Sequence, residues 1–378
     1  MLREKGYITR EEYEEVKGKT GAPFVFGYKP GKGFSISTPD GNNSLTLGGR
    51  VQLRYTGADK QDDDDESTFR VRRMRIWTEG HVYNPNWRYG FQGDFAGSFS
   101  LRDAYVESTH IPQASVKLGQ YKIPYNRQQM TSSGALQFVD RPVTNDEFLF
   151  GDDGRDIGAM VHGEALPDRL AYAVGPCNGS GPSTTNEDTG HVVAARILIT
   201  PFGAFKDYYV EGDLVGVNTP RFGIGVGTAY TADETKGRIT KRLGLADPKL
   251  FPSFTEADIF GATADAHFKC GGFGMFVDYY YRHVDPRGMD AINGHGAVAQ
   301  TGYFILARKL EVAARYAWMD PNDSVANDSV QEYGGAVGYF VRDHNLKVQA
   351  DLRRIDTERP GKGTANDVEV RVQVQAIF

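Results

Sequence analysis

From Ser44 to Phe378 apolar and polar side chains alternate with a period of two, the signature of strands that present one apolar and one polar face. In Leu45-Thr-Leu-Gly-Gly-Arg-Val-Gln-Leu-Arg-Tyr55, Leu45, Leu47, Val51, Leu53 and Tyr55 share one face, and Thr46, Arg50, Gln52 and Arg54 the other. The last segment is the clearest: Val368, Val370, Val372, Val374, Ala376 and Phe378 alternate with Glu369, Arg371, Gln373 and Gln375. Strands of about ten residues with one apolar and one charged face suit a sandwich with a wet exterior or a barrel with lipid outside and water inside.

Connection lengths separate these two. About sixteen strand segments fall between 44 and 378, counted from alternation and turn residues. Tight turns at 84–86, 111–113, 167–168, 271–272 and 343–344 alternate with longer connections at 59–68, 125–155, 178–190, 232–256, 286–296 and 357–367. That asymmetry is expected of an outer-membrane barrel with short periplasmic turns and long external loops. Tyr208 to Val217 resembles a strand, but counting it makes the total odd, so it is assigned to an unusually long periplasmic connection.

The expected fold is therefore all-β: a 16-stranded antiparallel transmembrane β-barrel over 44–378 with a short N-terminal helix. Composition agrees, since 40% apolar and 24% charged residues suit a barrel that exposes apolar groups at alternate positions only. No stretch approaches the eighteen or so apolar residues of a spanning helix. Residues 1–43 read as a periplasmic helix and linker: Thr9-Arg-Glu-Glu12 is a capping box, followed by a Gly/Pro-rich stretch with room for one short strand. Met1-Leu-Arg-Glu-Lys lacks the apolar core of a secretory signal, so the numbering is expected to describe a mature or truncated chain. Cys177 and Cys270 fall at opposite ends of their strands, too far apart for a disulfide.

The connection 125–155 is long enough to be functional; as the third external loop of a sixteen-stranded barrel it is expected to enter the lumen as a constriction. Opposite the apolar face, pleat alternation places about fifteen Arg or Lys against about nine Asp or Glu. Arg50, Arg54, Arg70, Arg72, Arg75 and Lys117 belong to that set, as do Arg88, Arg196, Arg221, Lys269, Arg282, Arg315, Lys347, Arg353 and Arg371. Arg70, Arg72, Arg73 and Arg75 change parity between Arg72 and Arg73, so they share a face only through a bulge. Fixed cations along a water-filled pore favour anions, and the arginine fork suits phosphate. The acidic run Asp62 to Glu66 reads as a solvated loop, with a calcium or lipopolysaccharide-bridging site as the alternative. Gly223, Gly225 and Gly227 form a period-two glycine strand, and no HExxH, G-x-S-x-G or phosphate-binding loop is present. Neither an enzyme nor a resident cofactor or metal is expected.

Several runs resemble the phosphate-selective porin O/P family: Leu118-Gly-Gln-Tyr-Lys-Ile-Pro-Tyr125, Met130-Thr-Ser-Ser133, Gln137-Phe-Val-Asp-Arg-Pro142, Phe69-Arg-Val-Arg-Arg-Met-Arg-Ile76, Leu101-Arg-Asp-Ala-Tyr-Val106 and Asp156-Ile-Gly158. The resemblance implies a trimeric outer-membrane channel for small anions such as phosphate, in contact with outer-membrane lipid and lipopolysaccharide and without a nucleic-acid partner. It places Lys122, Arg141 and Asp103 near the constriction, and Phe378 resembles the terminal signal read by barrel-assembly machinery. The loop departs from a phosphate trap in carrying Asn145-Asp-Glu147 and Asp152-Asp153. The alternative reading is a non-transport barrel, a scaffold or sheath for an envelope or redox partner, which needs a wide lumen without an inserted loop.

Overall fold

The computed structural model of the protein describes residue 9 and residues 24–61, 63–186, 190–235 and 256–378. A hairpin, β1 (Val25–Lys29) and β2 (Gly33–Ser37), precedes sixteen longer strands. The first eight are β3 (Ser44–Asp59), β4 (Glu66–His81), β5 (Trp87–Asp94), β6 (Ser100–Ser108), β7 (Ser115–Lys122), β8 (Arg155–Leu166), β9 (Leu170–Cys177) and β10 (Val192–Ile199). The rest are β11 (Arg221–Thr235), β12 (Glu256–Cys270), β13 (Phe273–Pro286), β14 (Ile292–Leu306), β15 (Leu310–Asp320), β16 (Val330–Arg342), β17 (Leu346–Arg359) and β18 (Gly363–Ile377).

Each strand from β3 to β18 pairs antiparallel with the next, and β18 returns to β3 from Val368 opposite Asp59 to Ile377 opposite Arg50. The sheet is thereby a closed sixteen-strand barrel, and closure satisfies the backbone groups that an edge strand would leave unpaired. β2 pairs with the start of β3, Phe34 opposite Leu47 and Ser37 opposite Ser44, next to the point where β18 ends. The sequence left room for one short strand in this stretch; two form. The capping-box helix expected at 9–18 falls outside the described residues but for Thr9.

Burial is inverted relative to a water-soluble protein. On β18 the apolar Val370 is 45% exposed while its neighbour Arg371 is 3% exposed. The outward face is an apolar band and the polar residues point into the barrel, the arrangement a lipid-embedded wall requires. Among the described residues no helix is long and apolar enough to cross a membrane.

Two connections are shorter than the sequence suggested. β13 and β14 extend until only 287–291 separates them, and β17 and β18 until only 360–362 does, because alternation continues into residues first read as loop. The 200–220 connection, by contrast, contains no strand, as the odd-count argument required. Cys177 and Cys270 are free thiols.

Candidate functional site

The connection between β7 and β8 turns into the barrel and carries two short helices, α1 (Arg127–Met130) and α2 (Thr144–Glu147). Asn126 starts α1, its side-chain oxygen accepting from the Gln129 amide at 2.6 Å. The inward polar residues of the far wall satisfy this loop. Arg127 donates to the Asp278 carboxylate from Nε and Nη2 at 2.9 and 3.3 Å, and Gln128 donates to the same group at 2.7 Å. The Val139 and Val143 amides donate to Asp351 and Glu332 at 2.9 and 2.8 Å, and Lys347 Nζ donates to the Leu136 carbonyl at 2.8 Å.

Glycines on the lumen face shape the same wall. A Cβ at Gly296 would lie 2.6 Å from the Phe148 ring, at Gly334 2.8 Å from Phe138, and at Gly261 2.6 Å from the Tyr125 hydroxyl. The loop's aromatic residues thus sit in recesses of β12, β14 and β16 that no other residue type would leave open.

A second segment enters from the short-turn end. Residues 201–220 fold inward over β10–β15, where the Tyr208 hydroxyl donates to Asp265 and its ring lies over Gly223. Lys269 Nζ donates to Asp207 at 2.9 Å and to the Val210 carbonyl at 2.8 Å, while Arg221 pairs with Asp207 at 2.6 Å and also with Asp213. The two insertions meet inside the barrel: the Glu211 amide donates to the Ala135 carbonyl, and the Gln137 amide to the Glu211 carboxylate, both at 2.9 Å. Sequence reasoning assigned 201–220 to a periplasmic turn and missed its entry into the lumen. The inward glycines, Gly223 among them, were the available signal.

With both insertions held to β10–β18, the lumen stays open against β3–β8. There a cavity of about 470 Å³ is lined by Arg50, Arg73, Arg75, Lys117, Lys122 and Arg141, together with Arg102, Asp103, Asp153 and Arg155. Of the residues singled out from sequence, Arg54 and Arg72 stand just beyond it, both on Asp140 of the loop. Arg70 pairs in register with Arg54 near the long-loop rim and is exposed.

Two bulges shape this wall. On β4, Leu53 faces Val71 and Gln52 faces Arg73, so Arg72 is the extra residue and the arginines on both sides of it point inward. On β6, Gln92 faces Asp103 and Gly93 faces Leu101, so Arg102 is extra in the same way. Arg102 was not foreseen, although its parity conflict with Asp103 repeats that of Arg72 and Arg73.

Charge is distributed unequally between the two halves of the lumen. Over β10–β18 four buried arginines each meet a carboxylate: Arg196 with Asp265 at 2.7 Å, Arg282 with Glu147 at 2.8 Å, Arg315 with Glu332 at 3.0 Å and Arg371 with Asp351 at 2.8 Å. Asp207, by contrast, serves both Lys269 and Arg221, and Lys347 meets only the Leu136 carbonyl and His344 among the described residues. Along β3–β8 one carboxylate is shared more widely. Asp140 alone meets Arg54, Arg73 and Arg72 at 2.9, 3.3 and 3.5 Å, and Asp153 serves both Arg102 and Arg155. Asp103 pairs with Arg155 at 3.1 Å, Asp94 with Arg75 at 2.7 Å and Glu107 with Lys117 at 3.3 Å.

Three cations there have only neutral oxygens as partners among the described residues. Arg50 donates to the Ser132 and Ser133 hydroxyls at 3.3 and 3.0 Å. Lys122 donates to the Met130 and Thr131 carbonyls at 3.1 and 3.4 Å, and Arg141 to those of Gln128 and Thr131, both at 2.7 Å. Burial alone would push the Asp140 carboxyl up, but Arg73, Arg54 and Arg72 reverse this and hold it well below the ordinary carboxylate range. Of the acidic residues of the loop, Glu147 is held by Arg282 on the far wall, while Asp153 lines the opening and is held there by Arg102 and Arg155.

A closed sixteen-strand barrel, apolar outside and charged within, whose bore is narrowed by an inserted loop, is a porin-type channel. The chain belongs to the phosphate-selective porin O and P family, whose model matches residues 45–378. An uncharacterized protein of Aquifex aeolicus (strain VF5) is 22% identical over 413 residues, covering 100% of this chain and 93% of its own. Among solved structures, the barrel is similar to the anion-selective porin from Comamonas acidovorans (TM-score 0.63, 14% identity, 89% of this chain and 100% of that one). It is also similar to the outer membrane channel DcaP of Acinetobacter baumannii (TM-score 0.57, 15% identity, 89% and 98%). Family and fold place the protein in the bacterial outer membrane and point to a channel rather than an enzyme.

Proposed function

We propose that the chain is a passive, anion-preferring diffusion channel for small hydrophilic solutes, phosphate-like anions among them, and that residues 125–155 form its constriction loop. One observation carries this reading: at the opening left by the loop, Arg50, Lys122 and Arg141 have no carboxylate partner among the described residues, while Asp140 is shared by three arginines. An anion entering the cavity meets uncompensated positive charge, and a cation meets a barrier. Arg50, Arg54, Arg70, Arg72, Arg73, Arg75, Asp103, Lys117, Lys122 and Arg141 are assigned to this pore lining. Asp103, together with the shared Asp140 of the loop, orients the guanidinium groups and keeps the cluster from binding any anion too tightly to release.

A homotrimer embedded in lipid and lipopolysaccharide, with residues 1–43 as a periplasmic appendage, completes the reading by family likeness. The two inserted segments count against a sheath around a partner protein. The test is the zero-current potential of the reconstituted channel under a potassium chloride gradient, repeated with phosphate added. A reversal potential toward that of chloride, weakened at high ionic strength, supports the reading. A cation-selective potential overturns it.

A further inference from the structure

The cavity has a second chemistry that an inorganic anion leaves unused. Trp77 and Tyr105 both line it, and each is paired across the sheet with a glycine, Trp77 with Gly48 and Tyr105 with Gly90. A Cβ at either glycine would fall against the ring opposite. Each ring therefore lies across the neighbouring strand instead of standing out into the lumen, with its other side turned to the cavity. Neither the Trp77 indole N–H nor the Tyr105 hydroxyl has a hydrogen-bond partner among the described residues.

Cations border both rings. Lys117 Nζ lies 4.3 Å from the centre of the Tyr105 ring. Arg50, opposite Arg75, is two residues along β3 from Gly48, and hence about 7 Å from the pair that holds Trp77. A flat apolar surface beside an uncompensated guanidinium, with two free donors at its edge, is complementary to a planar ring that carries a carboxylate.

We infer that the cavity is a binding site for aromatic carboxylates, in which Trp77 and Tyr105 hold the ring and Arg50 and Lys122 the carboxylate. This deepens the anion-channel reading and rests on it. Inorganic phosphate satisfies the cations but has no surface to offer the rings, whereas benzoate satisfies both. Stacking of this kind is worth about threefold to tenfold in affinity.

The experiment uses the full chain in a planar bilayer in symmetric potassium chloride, with benzoate, acetate and glucose 6-phosphate added in turn. Benzoate is expected to reduce the chloride current at about threefold to tenfold lower concentration than acetate, and Trp77→Leu to remove that advantage while Trp77→Phe keeps most of it. Equal block by benzoate and acetate overturns the inference, as does a benzoate advantage that survives Trp77→Leu. Stronger block by glucose 6-phosphate than by benzoate also overturns it, in favour of a sugar anion. The wild-type comparison decides the matter by itself if a variant does not assemble. The underlying reading fails separately, through cation selectivity measured without any organic anion.

Discussion

Gly49 and Phe378 exchange both backbone hydrogen bonds: the Gly49 amide donates to the Phe378 carbonyl at 2.8 Å, and the Phe378 amide to the Gly49 carbonyl at 2.9 Å. The Phe378 ring also covers the place where a Gly49 side chain would stand. These contacts extend the β18–β3 seam by one pair at its short-turn end. Removing Phe378 is expected to lower the yield of folded barrel in a membrane-insertion assay, and Gly49→Val to do the same by displacing the ring. An unchanged yield for both would show that the seam closes without this pair.

Asp140 is the common acceptor for Arg54, Arg72 and Arg73. Asp140→Asn is expected to raise the anion-to-cation permeability ratio by exposing three guanidiniums, and to loosen the loop by about 1–3 kcal/mol through loss of charged hydrogen bonds. Reversal potential and single-channel noise report the two effects.

Arg50→Ala removes one of the cations that lack a carboxylate. A unit charge about 6 Å from a permeating ion in water is worth about 0.7 kcal/mol, or roughly a threefold change in permeability ratio. The same direction is expected for Arg75→Ala, and a null result at both positions would place the ion path elsewhere.

Arg371 and Asp351 form a buried pair in which Asp351 also accepts the loop amide of Val139. Arg371→Met leaves that carboxylate uncompensated and is expected to cost about 3–5 kcal/mol. The double change with Asp351→Leu recovers part of this. Thermal denaturation of the detergent-solubilised barrel distinguishes the two variants.

The depressed pKa of Asp140 sets a pH expectation. A carboxyl held below its ordinary value of 3.8 contributes its stabilisation above that value and loses it only as pH falls through the depressed one. Loop position and selectivity should therefore be flat from neutral pH down to about 4 with respect to this group. A rise in anion selectivity with loop loosening belongs in stronger acid. A midpoint near pH 5 would show that the three guanidiniums do not hold Asp140 as described.

Much of this architecture is legible in the sequence because lipid on one side and water on the other imposes a local pattern. Alternation in 257–270 matches β12 almost to the residue, and the parity change at Arg72 and Arg73 marks a bulge that the structure contains. The lumen is less legible. Arg127 and Asp278 are 151 positions apart, and nothing local reveals that one neutralises the other. The fifteen or so inward cations counted from alternation are consequently no measure of the field, since most of the β10–β18 arginines are neutralised by carboxylates elsewhere in the chain. The entry of 201–220 depends in the same way on partners such as Asp265 and Lys269, each more than fifty positions further along the chain.

The bulges at Arg72 and Arg102 have a bearing on how such a pore can diverge. Each adds one residue to the aqueous side of a strand while the hydrocarbon side continues in its own rhythm past it. Deleting the codon at either position would remove one unit of positive charge from the lumen wall. The pattern that membrane insertion depends on would stay intact. Solute preference in this barrel is thereby uncoupled from the constraint that keeps it in the membrane, so relatives can share the same shell and differ in what passes through it.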